Sequence, residues 1–218
     1  MPFSLLLSLR SFVSLSTGRP PVTERFIPAH GGYKNLLSYR KAEIVFDATA
    51  YFCGRFIERR DRTHDQMIQA ARSCKQNIIE GSMASGTSKE TEIKLTNVAR
   101  ASLEELLADY RDFLRLRGLA EWTKDHPYTQ RLRELNRIPD AAYVTFRKGI
   151  ENPEPAICAN VIIGLIRVTG YLLDRQLRHL EKAFVEEGGI RERMTRARLA
   201  EREKARQRQG HPGGPLAP

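Results

Sequence analysis

From Thr63 to Arg117 the apolar residues repeat every three or four positions in two successive runs, separated by a short stretch of small residues. In the first run Met67, Ala70, Ala71, Cys74 and Ile78 make one stripe. In the second, Leu95, Ala99, Ser102, Leu106, Tyr110 and Phe113 do, widened by Leu103, Leu107 and Leu114. Such spacing puts each set on one face of an α-helix, and a face as broad as the second needs two neighbours to cover it. Thr63-His64-Asp65-Gln66 and Thr87-Ser88-Lys89-Glu90 read as capping boxes that open the two helices, since a Thr hydroxyl and a Gln or Glu side chain satisfy amides that the first turn leaves free. Gly81 is expected to end the first helix in the left-handed conformation, with 82–86 as the loop. The pair forms an α-hairpin whose structural hinge is Asn77, Glu80 and Gly81. Glu80 then sits at the negative end of the helix dipole and needs a partner, either an amide of the next helix start or an Arg, with Asn77 one turn earlier. A ligand-binding or catalytic role for Asn77 and Glu80 is the alternative.

The same periodicity extends to both sides. Leu37, Ile44, Ala48, Tyr51, Phe52 and Phe56 predict a first helix over 36–59, in which Gly54 costs about 1 kcal/mol relative to Ala and implies a closely packed neighbour. Residues 118–125 read as a break, with Trp122 as a packing anchor where the chain turns, or as an exposed base-stacking ring. A short helix follows over 126–137, capped by Asp125 with Pro127 in its first turn. Residues 139–149 read as irregular, with Tyr143 and Phe146 over the end of a bundle. Asn152-Pro153 opens another helix, almost wholly apolar from Ala156 to Leu173 and continuing through Leu177, Leu180 and Phe184 to Gly188-Gly189. Asn160, Arg167 and Thr169 interrupt that run, and a charge at mid-bilayer costs at least a few kcal/mol, so it is not expected to span a membrane. Apolar on most faces, it suits a central helix that also meets a neighbouring subunit, with Ala159, Gly164 and Gly170 permitting close approach. From Ile190 to Gln209 helix propensity is high, but the apolar stripe of Ile190, Met194 and Ala197 is thin.

The fold class is therefore all-α: an antiparallel four-helix bundle with a basic C-terminal helical tail. Residues 1–32 read as a flexible lead-in, 33–188 as the bundle with an irregular insert around 118–152, 189–209 as the tail, and 210–218 as disordered.

Charge sharpens this picture. The 218-residue chain carries a formal +10, with a pI near 9.8. Eight basic residues against three acidic ones between Arg191 and Arg208 supply half of the total. A solvated helix that keeps the protein soluble is one reading of the tail; an arm that orders on nucleic-acid phosphates is the other. Cys53, Cys74 and Cys158 lie far apart on apolar stripes, odd in number and without metal-ligand spacing, which points to reduced core thiols and a cytoplasmic location. The short apolar run Phe3–Leu9 lacks a preceding basic residue and is broken by Arg10, so a secretory leader is not expected.

Sites for chemistry are missing from the pattern. Residues 81–88 approach a phosphate-binding loop, but Thr87 stands where its Lys is needed, and a helix precedes it where a strand should. Glu-x-x-His pairs of di-iron bundles are absent, and the five His show no nucleophile partner. No catalytic residue, metal ligand or cofactor site is expected, and the chain does not read as an enzyme.

Several pieces in order, Ala70-Ala71, Asn77-Ile78-Ile79-Glu80-Gly81, Ser88-Lys89-Glu90 and Ala99 to Leu106, resemble the bacterial four helix bundle protein family over about Tyr33 to Trp122. That family includes proteins encoded in intervening sequences of large-subunit ribosomal RNA genes and accessory variability proteins of diversity-generating retroelements. The segment from Asn152 to about Ala200, with Glu186-Glu187-Gly188-Gly189 and Arg191 to Arg196, resembles the C-terminal suffix extension of one subfamily. Two positions depart: Gln69 precedes the Ala-Ala pair where a basic residue is usual, and Ala101 replaces a Gly. The resemblance implies a homo-oligomer, often a ring-shaped pentamer, that binds RNA or DNA and, in its retroelement members, a reverse transcriptase, with no established enzymatic activity. Charge and position nominate Arg72, Lys75, Lys89, Lys94 and Arg100 on the hairpin, and Arg191, Arg193, Arg196 and Arg198 on the tail, as phosphate contacts with little sequence preference. The alternative is a protein-interaction scaffold that docks a partner enzyme and has no direct nucleic-acid role.

Overall fold

The computed structural model describes Ile27 and residues 30–209, so the sequence readings for 1–26 and 210–218 lie outside the described residues. Every regular element among the described residues is helical. A short 3-10 turn, Tyr33–Asn35, precedes α1 (Leu37–Phe56), α2 (Arg62–Ala84), α3 (Lys89–Leu116), α4 (Pro127–Asn136), α5 (Tyr143–Ile150), α6 (Pro155–Glu187) and α7 (Ile190–Gln209).

The apolar stripes meet in one core. α1 packs on α2 and α6, and α3 packs on the same two helices. Phe52 and Cys53 of α1, Met67 and Ile78 of α2, Leu103 and Leu106 of α3, and Ile162 and Ile166 of α6 all belong to it. At its centre the Phe52 ring lies 4.9 Å from Tyr110 and 4.7 Å from Phe113, joining α1 and α3 across the interior. The buried Tyr110 hydroxyl donates to Thr49 Oγ1 at 3.2 Å, so its polar end is not orphaned. Burial also fixes the thiols: Cys53, Cys74 and Cys158 are free and buried on α1, α2 and α6, each with its pKa pushed up to about 12 by desolvation.

Helix ends follow local chemistry, at positions shifted from the sequence reading. Asp61, not Thr63, caps α2, its side chain accepting from Thr63 N at 2.9 Å. Ser88, not Thr87, caps α3, its Oγ accepting from Thr91 N at 3.1 Å. Gly81 does not end α2: the helix runs on to Ala84, and the described glycines with positive φ are Gly31, Gly118 and Gly188. Gly81 is instead a buried helical residue with room for a Cβ, which would lie 3.4 Å from Glu92 O and from Leu95 Cβ on α3. At Gly118, φ +64°, Leu119 N donates to Leu114 O at 2.9 Å and Gly118 N to Arg115 O at 3.1 Å, a Schellman closure of α3. Gly188, φ +72°, closes α6 as expected.

Three further expectations change. Among the described residues nothing lies within 4 Å of a Cβ built on Gly54, so none of them packs closely there. Residues 143–150 are helical where an irregular segment was expected; the two-turn α5 starts with Thr145 Oγ1 accepting from Ala142 N at 3.2 Å. α6 begins at Pro155, while Asn152 caps the preceding turn by accepting from Glu154 N at 2.9 Å.

The insert explains the apolar breadth of α6. α4 and α5 both pack on α6. Leu132 of α4 fills the notch at Gly164, where an added Cβ would collide with Leu132 Cδ2, and Val161 would sit 2.8 Å from a Cβ on Gly149 of α5. Part of the broad apolar surface of α6 is thus covered within the same chain. The apolar stretch of α6 is long enough to cross a membrane, with a mean window hydropathy of 1.8, and 56% of that window is buried inside the protein.

Candidate nucleic-acid interface

The hairpin cations divide by what already holds them. Lys75 Nζ sits over the Phe46 ring, 4.1 Å from its centroid. Lys89 Nζ pairs with Glu92 at 3.2 Å in a half-buried setting, and Arg100 pairs with Asp174 of α6 at 3.5 Å and donates to Asn97 at 3.1 Å. Arg72 and Lys94 are exposed, with no ion pair among the described residues. The Arg100–Asp174 pair is open to solvent and contributes little to stability.

The hinge trio does not act as a hinge. Asn77 Nδ2 donates to Ser73 O at 2.8 Å and Ser73 Oγ at 3.1 Å, and Ser73 Oγ lies 3.0 Å from Ser102 Oγ on α3. That is a polar seam between two packed helices. Glu80 is exposed with no hydrogen bond or ion pair among the described residues, because α2 continues past it and the last-turn dipole penalty falls elsewhere.

The tail forms one uninterrupted helix, α7, which packs extensively on none of the other helices. Its base is tied down. Arg196 Nη2 donates to Glu187 O and Gly189 N donates to Glu192 Oε2 at 2.8 Å, while the Nε and Nη2 atoms of the half-buried Arg193 are shielded from solvent with no hydrogen-bond partner among the described residues. Beyond that point nearly every residue is exposed. At 100° per residue, Arg191, Arg198, Arg202 and Arg206 share one face, and the last three follow each other at about 6 Å along the axis. Arg202 and Arg206 were not among the sequence candidates; their four-residue spacing from Arg198 was the available signal.

Two of the predicted sets come together at one place. A cleft of about 350 Å³ lies between the start of α3, the end of α6 and the start of α7, and both Lys89 and Arg191 line it. Two helix N-termini converge there, but Glu90 and Glu192 line the cleft as well, Glu192 accepting from Gly189 N, so its charges are balanced. Arg72, Lys75, Lys94 and Arg100 lie outside that cleft. Among the described residues no three His, Cys, Asp or Glu side chains gather to hold a metal.

Around α4 lies a different concentration of side chains. Asn160, 3% exposed in α6, accepts from Trp122 N at 2.7 Å and donates to Ala120 O at 3.0 Å and Ala156 O at 2.8 Å. It thereby clamps the loop after α3. Glu121 in that loop accepts from Arg111 Nε at 3.2 Å and pairs with Arg167. Trp122 is half-buried and stacks on His126, ring planes 5° apart and centroids 4.7 Å apart. No protein-family model matches the chain, and neither a curated protein nor a solved structure matches it significantly.

Proposed function

We propose that the protein is a nucleic-acid-binding accessory protein in which α1, α2, α3 and α6 form an antiparallel four-helix bundle that self-assembles, and α7 is a basic arm for the phosphate backbone. One observation carries this reading: the four-arginine stripe on an exposed helix that the rest of the fold does not use for its own packing. A helix of 20 residues with so thin an apolar stripe gains little from the body of the protein, so its order is best stabilised by an anionic surface. The stripe begins beside Lys89, which lets the body extend the phosphate track. No base-reading arrangement accompanies it, so affinity should vary little with sequence. The resemblance of Tyr33–Trp122 to the four helix bundle proteins supports the same assignment and suggests a pentamer.

The test is fluorescence anisotropy of nuclease-treated protein with labelled RNA and DNA, single- and double-stranded, at low and near-physiological salt. Four phosphate contacts predict a slope of about −3.6 in log K against log salt on duplex DNA. Deleting 191–208 should weaken binding and flatten the slope. Unchanged affinity after that deletion removes the tail from the mechanism. No binding at low salt, with tight self-association by sedimentation, would favour a scaffold that docks a partner such as a reverse transcriptase.

A further inference from the structure

The cavity between α4, the loop after α3 and the outer face of α6 has a volume of about 510 Å³, within the roughly 300–1,000 Å³ of pockets that hold small organic ligands. Its floor is apolar, from Ile163, Gly164 and Val168, and two aromatic rings, Trp122 and Tyr171, line it. Three cations line it as well, Lys124, Arg133 and Arg167, with no Asp or Glu among the lining residues. Arg167 is already neutralised by Glu121. Lys124 and Arg133 are exposed at the rim and have no ion pair among the described residues. Asn136 lines it too, donating through Nδ2 to Leu132 O at 2.9 Å, while its Oδ1 is shielded from the cavity and receives no hydrogen bond among the described residues.

These features specify a ligand. It needs a flat ring to lie against Trp122 and Tyr171 and an anionic group for Lys124 and Arg133. A nucleotide has both, and a neutral aromatic or a bare phosphate has only one of them. We propose that this cavity binds one nucleotide, its base against the aromatic rings and its phosphate at the rim. The occupant is either a free nucleoside monophosphate or a single unstacked nucleotide of a strand, because a base held in a duplex cannot present its face. The assignment does not depend on the α7 arm.

Trp122 is the only tryptophan of the chain and lines this cavity and the one on the far side of α4, so its emission reports binding and the variants assign it to one side. Full-length protein is titrated with adenosine, guanosine, cytidine and uridine monophosphates, the corresponding nucleosides, inorganic phosphate, and single- and double-stranded oligonucleotides, with calorimetry in parallel. The expected result is saturable quenching by at least one nucleoside monophosphate or by single strands, weakened tenfold or more in the Lys124→Ala/Arg133→Ala variant. The Arg131→Ala variant should bind normally, since Arg131 pairs with Glu134 at 2.8 Å and lines the opposite side of α4. Quenching by monophosphates identifies a free nucleotide as sufficient; quenching by single strands alone places the base within a strand. Absence of saturable quenching, quenching that survives the double substitution, or nucleosides binding as tightly as their monophosphates would overturn the proposal. If anisotropy shows salt-dependent binding while Trp122 stays silent, the cavity assignment fails and the arm stands.

Discussion

Replacing Lys41 by Met should stabilise the protein. Lys41 lies in α1, 6% exposed, and its Nζ is buried with no hydrogen-bond acceptor among the described residues. Its nearest compensation is the Phe146 ring of α5, 4.7 Å from Nζ to the centroid. A phenyl face offsets about 0.5–2 kcal/mol for a desolvated ammonium. An unpaired buried donor costs about 1–3 kcal/mol, more if charged, so the balance lies against the charge. Desolvation accordingly lowers the Lys41 pKa from its ordinary value. Met keeps the unbranched stem and packs well against an aromatic ring. Lys41→Met should therefore gain about 1–2 kcal/mol at pH 7 in urea unfolding followed by circular dichroism, with about 2–4 °C in Tm for each kcal/mol. The sign of the pH dependence follows from the lowered pKa. Between the folded-state pKa and the ordinary lysine value the unfolded chain binds the proton and the folded chain does not, so stability rises with pH across that window. The penalty is complete below the window and absent above it, and the advantage of the variant should shrink as pH approaches the ordinary lysine value. The three buried thiols act in the opposite direction in the same range, equally in both proteins, so the difference between them is the quantity to read. A variant less stable at pH 7, or an advantage constant with pH, would refute the reasoning.

Asn160→Ala should cost about 2 kcal/mol in urea unfolding and shift Trp122 emission to the red, because the loop amide and carbonyl lose their shared partner; unchanged emission would count against the clamp. Gly81→Ala should be tolerated and Gly118→Ala should cost about 1 kcal/mol by chemical denaturation, since only Gly118 holds a positive φ. The reverse ranking would restore Gly81 as a helix terminator. Gly54→Ala should stabilise by about 0.5–1 kcal/mol in the same assay, as its α-helical site is open to solvent.

The long helices were legible because their apolar stripes persist over many turns: Met67 to Ile78 and Leu95 to Phe113 point into the core as the spacing requires. Boundaries were less legible where two cappers compete. Asp61 and Ser88 hold the caps expected at Thr63 and Thr87, and each residue is chemically able to accept from a free first-turn amide. Gly81 misled because a glycine in ordinary helical conformation, with room for a Cβ, looks in sequence like one required by a turn. α5 was missed because eight residues give barely two turns of periodicity, and its Phe146 and Ile150 are buried by contacts that span long stretches of chain. The covering of α6 by α4 was invisible for a similar reason: the pairing of Leu132 with Gly164 is purely tertiary. Of the candidate interface, the tail was readable as charge, but its stripe emerged only once 190–209 was one continuous helix. The cavity beside Trp122 draws on α4, α6 and a loop, and no local pattern announces such a meeting.

The three buried cysteines give the fold an internal clock. A thiol whose pKa is held near 12 offers almost no thiolate at neutral pH, and burial bars reagents besides, so modification must wait for the helix that carries it to open. Cys53, Cys74 and Cys158 sit on α1, α2 and α6, and Cys158 is further anchored by donating to Ile150 O at 2.8 Å. Pulsed alkylation read by mass spectrometry would thus time the opening of three helices separately within one chain. Equal rates would mean that the body unfolds as a single unit, and unequal rates would order the departure of its layers.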